Sequence, residues 1–329
     1  MLTQVNVVLD PDATQGEVAW FSPERRAALL ALLRALDARD YRFVTATPAT
    51  HARVLKRPTR RIAGSLRDIL GWSLPFTRDV VDADMMALLE AAGAVRPLGG
   101  ERYAPTLRAS TVEGHLFLHS AYPTLAEDSV FLGPDSHRFA QFIAAGMAPD
   151  ARRVLDYGAG AGVGGITAAA RTRDGHLMLA DINPKALFLA GINAEHAGLR
   201  HACMQVQAPR DLDAGYDLIV THPPFMIDEG RRAYRDGGDL YGARLSLEWV
   251  MQGSALLAPG GRLILHTGVS IVEGRDVLLD ALRERLPATG FELDYRELDP
   301  DIFSEDLDQP GYSEVERISA VGLILYRTA

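Results

Sequence analysis

The 329-residue chain has a single cysteine, Cys203, which excludes an internal disulfide. One unpaired thiol fits a reducing, cytoplasmic setting, and its apolar neighbours mark it as an inert thiol rather than a nucleophile. No run approaches the roughly 20 apolar residues that span a bilayer, and Met1 to Asp12 carry no basic leader. A soluble protein with no membrane partner is expected. No Cys/His group has zinc spacing, so no metal is expected. His115 and His119 lie on one face of a short strand without further ligands, and they read as an exposed pair. A Gly-x-Ser-x-Gly elbow is also missing, which leaves Ser-His-Asp hydrolysis without support. There is no internal repeat and no low-complexity tract.

Apolar residues make up 47% and charged residues 23%, enough for a real core. The length suggests two domains. The net charge of −9 is uneven. Residues 1–125 hold 15 Lys/Arg and 13 Asp/Glu, whereas the rest holds 19 and 30. An acidic body disfavours broad phosphate binding. The exception is the segment holding Arg53, Lys56, Arg57, Arg60 and Arg61, which is either a solvated surface or a polyanion contact.

Residues 1–125 read as a mainly helical domain. Ser22-Pro23-Glu24 starts a helix to about Ala38, with Ser as the cap and Pro in the first turn. Shorter helices follow near Ser65–Leu70 and Asp82–Ala92, the latter stopped by Gly93. A hairpin around Gly99-Gly100 and a strand at His115–His119 complete a winged-helix outline. Residues 126–329 form the second domain. A helix is expected at about His137–Ala145, after Gly133-Pro134-Asp135-Ser136. From Arg153 apolar strands alternate with helices: Val154–Tyr157, Leu177–Asp181, Ala202–Val206, Tyr216–Thr221 and Arg262–Thr267, with helices at Gly164–Ala170, Pro184–Ala197, Leu240–Leu257 and Gly274–Leu286. Two final strands, Phe291–Leu298 and Arg317–Arg327, follow each other without a helix. The pattern predicts an α/β, Rossmann-like sheet of seven strands with an antiparallel edge.

The most informative segment is Val154-Leu155-Asp156-Tyr157-Gly158-Ala159-Gly160-Ala161-Gly162. A buried strand ends in an acid and runs into a glycine loop before a helix. Glycines allow a sharp turn and close backbone approach to a ligand, at the strand ends where doubly wound sheets bind cofactors. Asp181 ends the next strand, where a carboxylate can accept both hydrogens of a ribose diol. Asp156 is placed to hold an ammonium. Gly160-x-Gly162-x-x-Gly165 also matches a dinucleotide fingerprint, so an NAD(P)-dependent oxidoreductase stays open. Against it, a pyrophosphate gains nothing from a carboxylate at 156.

The fourth strand ends in Thr221-His222-Pro223-Pro224-Phe225. This resembles the Asn-Pro-Pro-Tyr/Phe motif of the methyltransferase small domain group, which includes release-factor glutamine and rRNA guanine methyltransferases. The resemblance covers roughly Phe131 to Ala329. It includes Gly133-Pro134-Asp135-Ser136, Arg235-Asp236-Gly237-Gly238 and Leu257-Ala258-Pro259-Gly260-Gly261-Arg262. It implies a class I fold with S-adenosylmethionine (SAM) as cofactor. The cofactor would be held by Asp156, Tyr157, Gly158, Gly160, Gly162, Asp181, Ile182 and Gln207, with Asp135 and Ser136 closing the pocket. It implies catalysis through His222, the Pro223 carbonyl and Phe225. In the family, acceptors at the first motif position and the next carbonyl hold the N–H groups of a poorly nucleophilic amine and aim its lone pair at the sulfonium methyl. Here His replaces Asn and offers a single acceptor when neutral. His222 then either orients an amine or acts as a general base. The expected acceptor is nitrogen on a small molecule or protein side chain. An rRNA base approached through Arg53–Arg61 is one alternative, and a SAM-binding protein that does not methylate is another. The first domain would contact substrate, cover the pocket or form a homodimer.

Overall fold

The computed structural model describes residues 21–228, 230–232 and 234–328. They divide into two compact units, each drawn from separate stretches of the chain. One takes the chain up to His137 together with Gly160–Val163 and Asn183–Cys203, and the other takes Arg138–Ala159, Gly164–Ile182 and the chain from Met204. The expected boundary at 125/126 falls inside the first stretch of the first unit.

In the first unit, α1 (Pro23–Asp37) is capped by Ser22, whose hydroxyl accepts the Arg25 N–H at 3.2 Å. Leu29, Leu32, Leu33 and Leu36 form its buried stripe. An unforeseen helix, α2 (Pro48–Leu55), follows, capped by Thr47. Then come α3 (Leu66–Leu70), β1 (Phe76–Thr77), α4 (Ala83–Ala91), β2 (Val95–Gly99) and β3 (Arg102–Pro105). The small sheet has the order β1-β3-β2, so helices and a two-stranded wing share one unit. A separate hairpin, β4 (Leu107–Val112) and β5 (His115–Ser120), turns through Glu113-Gly114, both at positive φ as a two-residue hairpin loop requires. His119 is fully buried in this hairpin, and its Nε2 lies 2.8 Å from the Ser110 hydroxyl. That corrects the exposed-pair reading: β5 is buried from Leu116 to Ser120, so His119 is covered, and only His115 at the strand end is half-exposed.

The main sheet is built from β6 (Arg153–Tyr157), β7 (His176–Asp181), β8 (His201–Gln205), β9 (Tyr216–Thr221), β10 (Leu257–Val272), β12 (Phe291–Asp299) and β13 (Arg317–Arg327). Their order is β12-β13-β10-β9-β6-β7-β8, and β11 (Arg275–Asp276) pairs back onto β10. The pairs β6–β7, β6–β9 and β9–β10 are parallel, while β13 runs antiparallel to β10 and β12. The seven strands are those expected, but the antiparallel one, β13, is not at the edge: it lies inside the sheet between β10 and β12, and β12 forms the edge. A dinucleotide-binding sheet of order 3-2-1-4-5-6 lacks that insertion, so the oxidoreductase reading is set aside.

The helices are α5 (Pro134–Gly146), α6 (Val163–Ala169), α7 (Pro184–His196), α8 (Arg244–Leu256) and α9 (Val277–Arg285). Three begin elsewhere than expected. α5 starts at Pro134, which puts Asp135 and Ser136 in its first turn rather than before it. α8 starts at Arg244 because Leu240 and Tyr241 adopt positive φ, incompatible with a helix. α9 starts at Val277 because Arg275-Asp276 is held by β10, with the Asp276 carboxylate as its cap.

Candidate functional site

Strand pleating decides which way the residues at the end of β6 face. Asp156 is 1% exposed, and its Oδ2 accepts the Gly165 N–H at 2.7 Å, beneath the first turn of α6. A Cβ on Gly165 would lie 2.7 Å from that of Asp156, so glycine is what lets the helix sit on the acid. Burial pushes the Asp156 carboxyl up to about 8; the Gly165 bond opposes this and the charge of Asp181 adds to it. Tyr157 points the other way. Its ring meets Trp249 edge-on at 4.5 Å, and its carbonyl accepts the Thr221 hydroxyl at 2.7 Å. Its side chain is therefore core, and only its backbone faces the loop. Gly158 has φ +70° and donates to the Ala180 carbonyl at 2.9 Å; a Cβ there would lie 2.7 Å from the Trp249 ring.

Asp181 is buried at the end of β7, and the Val206 N–H donates to its carbonyl at 3.1 Å. Beside it Ile182 is 47% exposed, an apolar side chain left uncovered at a strand end. Gln205 donates to the Ile182 carbonyl at 3.1 Å, and Gln207 is exposed on the following loop.

In the other unit, Gly160 and Gly162 adopt φ +53° and +83°. A Cβ on Gly160 would meet no atom of the described residues within 4 Å. The loop is pinned by Asn193 of α7, fully buried, whose amide donates to the Ala161 carbonyl at 2.9 Å and pairs with both backbone groups of Leu118. Asp135 is buried in the first turn of α5, and the Ser136 hydroxyl accepts the Gly133 N–H at 3.3 Å. Phe21 packs edge-on against Phe188, and Trp72 against Phe43 and His51; Trp20, considered with them as lid material, lies outside the described residues. Cys203 has its thiol pushed up to about 12 by burial, as an inert thiol should.

The substrate motif follows β9, next to β6, where Tyr157 pairs with Thr221. His222 is half-buried, and its Nδ1 lies 2.7 Å from the His266 carbonyl. A carbonyl only accepts, so Nδ1 carries the proton and Nε2 keeps the lone pair. The imidazole thus presents one acceptor, as the Asn side-chain oxygen of the family motif does. His266 on β10 is fully buried, with Nδ1 3.4 Å from that of His222 and Nε2 without a partner. Burial, then His222 and Arg138, holds His266 well below its ordinary value, so it is neutral. Phe139 covers both imidazoles, with ring centroids at 5.5 and 6.3 Å. Phe225 rests on Gly268, where a Cβ would run into its ring, and sits 5.8 Å from His222. Pro223 is buried between them in sequence.

The chain between β12 and β13 packs on the motif. Met226, Ile302, Tyr312 and Val315 share an apolar cluster with Phe225 and Phe303. The Tyr312 hydroxyl accepts the Ile227 N–H at 2.7 Å. Asp228 is buried and receives Arg232 Nε at 2.9 Å, while Arg235 bridges to Asp306 at 2.6 Å. The Arg232 guanidinium holds the Asp228 carboxyl below its usual range. The Gly237–Gly242 loop is stitched to the motif through Gly237 N–H to the Met226 carbonyl at 2.9 Å. Sequence reading missed Asn193, His266, Asp228 and Tyr312. Only Asp228, six residues past His222, lay close enough in sequence to be found.

Residues 136–267 match the family model of the methyltransferase small domain. The chain is 29% identical over 204 residues to the release factor glutamine methyltransferase of Bordetella pertussis, covering 56% of this chain and 72% of that protein. It is 32% identical over 114 residues to the ribosomal RNA small subunit methyltransferase C of Hahella chejuensis, covering 35% and 30%. With the ribosomal protein uL3 glutamine methyltransferase of Neisseria gonorrhoeae it shares 29% over 152 residues, covering 42% and 48%. The chain thus spans less than half the length of the last two.

Proposed function

We propose that this chain is a SAM-dependent methyltransferase of the methyltransferase small domain type, whose family model matches residues 136–267, and that it methylates a nitrogen of a protein side chain or small molecule held by His222. The observation that carries this reading is the bond from His222 Nδ1–H to the His266 carbonyl. It fixes the tautomer, with the ring lone pair on Nε2. Nε2 and the Pro223 carbonyl hold the amine hydrogens, and Phe225 lies against the substrate. The gain comes from positioning and electrostatics.

Asp181 ends its strand as a buried carboxylate and Ile182 offers uncovered apolar surface, groups that SAM would use. In this reading Asp181 takes the ribose hydroxyls and Ile182 and Gln207 flank the adenine. The family resemblance gives the backbone of Tyr157, Gly158, Gly160 and Gly162 the turn beneath the cofactor, Asp156 the ammonium, and Asp135 and Ser136 the closing of the pocket. Bound SAM supplies the activated sulfonium methyl.

Incubation with SAM and glutamine-bearing peptides tests the proposal. S-adenosylhomocysteine with a methylated peptide supports it. Methylthioadenosine or no product favours attack elsewhere on the sulfonium or binding alone. His222→Ala should lose turnover yet bind SAM; equal activity would end the role given to His222. A second reading, an rRNA base as acceptor, is favoured by the exposed Arg53, Lys56, Arg57 and Arg61, although Arg60 is paired with Asp68. It requires RNA affinity that falls steeply with salt, and no binding at low salt removes it. A reduced single thiol is consistent with a cytoplasmic enzyme.

A further inference from the structure

The first unit contains a buried cation that no acid among the described residues balances. Arg108 stands on β4, in register with His119 on β5, and is 3% exposed. Its Nε and Nη2 are buried without a hydrogen-bond partner. Among the described residues no carboxylate pairs with it, and a second cation shares its aromatic neighbour. Arg108 and Arg67 both lie over the Phe43 ring, at 5.9 and 5.3 Å from its centroid. The neighbouring groups are neutral and mostly satisfied among themselves. The Tyr41 hydroxyl donates to the Ala109 carbonyl, and Thr45, Ser110 and His119 form a chain of hydrogen bonds.

Two further polar atoms in the same aromatic cluster lack partners. His51 stacks on Tyr122 at 4.1 Å and packs on Trp72 at 5.1 Å. Its Nε2 donates to the Trp72 carbonyl at 3.0 Å, which leaves Nδ1 as an unused acceptor; the Trp72 Nε1–H is an unused donor. A guanidinium buried with neither acid nor hydrogen bonds is strongly unfavourable, and so is each unpaired polar atom near it. Nε and Nη2 form the side of the guanidinium that grips two oxygens of one carboxylate or phosphate in parallel. Trp72 and Tyr122 are only half-buried, so the cluster has an approach from solvent. Burial brings Arg108 down to about 10, which still leaves it charged at neutral pH.

We propose that the first unit holds a binding site for a small oxyanion, a carboxylate or a phosphate, gripped by the Nε/Nη2 edge of Arg108 and bordered by Trp72 and His51. The site is independent of the His222 chemistry. It gives the first unit a ligand to recognise, either the acidic group of a substrate or an effector.

The test is thermal unfolding of the full chain in sodium phosphate, sodium acetate and sodium chloride at one ionic strength. A saturable rise in Tm with phosphate or acetate over chloride is expected, as for any ligand that binds only the native state. A response to phosphate alone identifies a phosphate-bearing ligand, and to acetate alone a carboxylate. Arg108→Met should weaken half-saturation at least about tenfold. Should that variant fail to fold, Arg108→Lys keeps the charge but not the fork and should weaken it similarly. Equal Tm in all three salts overturns the proposal, as does an unchanged response in either variant. The cluster then holds only water.

Discussion

Replacing Asp156 with asparagine should make the ligand-free protein more stable at neutral pH and above. The carboxyl is fully buried, and burial with the neighbouring charge of Asp181 raises it from 3.8 to about 8. A group whose folded pKa lies above its unfolded value stabilises the fold fully below the unfolded value, and that contribution is lost as pH rises toward the folded one. The loss from Asp156 therefore runs from about pH 4 to pH 8 and is flat beyond. At pH 7 it amounts to about 4 kcal/mol, an order-of-magnitude figure. Asparagine keeps the shape and, through its oxygen, the hydrogen bond from Gly165, but it has no proton to lose. Urea unfolding of both proteins at a series of pH values isolates this one group from all others that titrate. The stability difference should be near zero at pH 4 and should favour Asp156→Asn by several kcal/mol at pH 8. Parallel curves, or a variant less stable at pH 8, would refute the assignment of a strained buried acid. The same logic reverses with ligand. An ammonium beside Asp156 favours the carboxylate, so SAM should bind wild type with release of a proton near pH 7. Calorimetry in buffers of different ionisation enthalpy measures that release, and the variant should show none.

His222→Ala should lower kcat by about 10²–10⁴-fold with SAM affinity retained, and the wild-type rate should fall on acidification as Nε2 takes up a proton; a flat profile counts against an acceptor role. His266→Phe leaves the carbonyl that orients His222 and removes an unpartnered buried nitrogen. It should keep more activity than His222→Ala at unchanged or higher Tm, and a loss equal to that of His222→Ala would mean that the side chain itself takes part. Gly158→Ala combines a left-handed backbone with a 2.7 Å approach to Trp249, so a stability loss of about 2–4 kcal/mol in urea unfolding is expected; a neutral result would show that the loop can shift.

The sequence alone determined the parts of this protein that are local. Apolar runs of strand length, glycines where the backbone must turn left-handed, and an acid or histidine closing a strand are properties of a few consecutive residues. They located β6, β7 and β9, the loop from Asp156 to Gly162, and His222 to Phe225. The pleat then limited what any listing of neighbours could say: Asp156 and Tyr157 are adjacent in sequence, yet one lies beneath α6 and the other in the core against Trp249. Only the tertiary structure placed His266 beside His222, forty-four residues earlier in the chain, through the parallel pairing of β9 with β10. It alone folded Ile302 to Val315 onto the motif, and buried Arg108 without a carboxylate partner among the described residues. These partners meet because strands far apart in sequence pair and side chains compete for the same enclosed space, which no window of sequence contains.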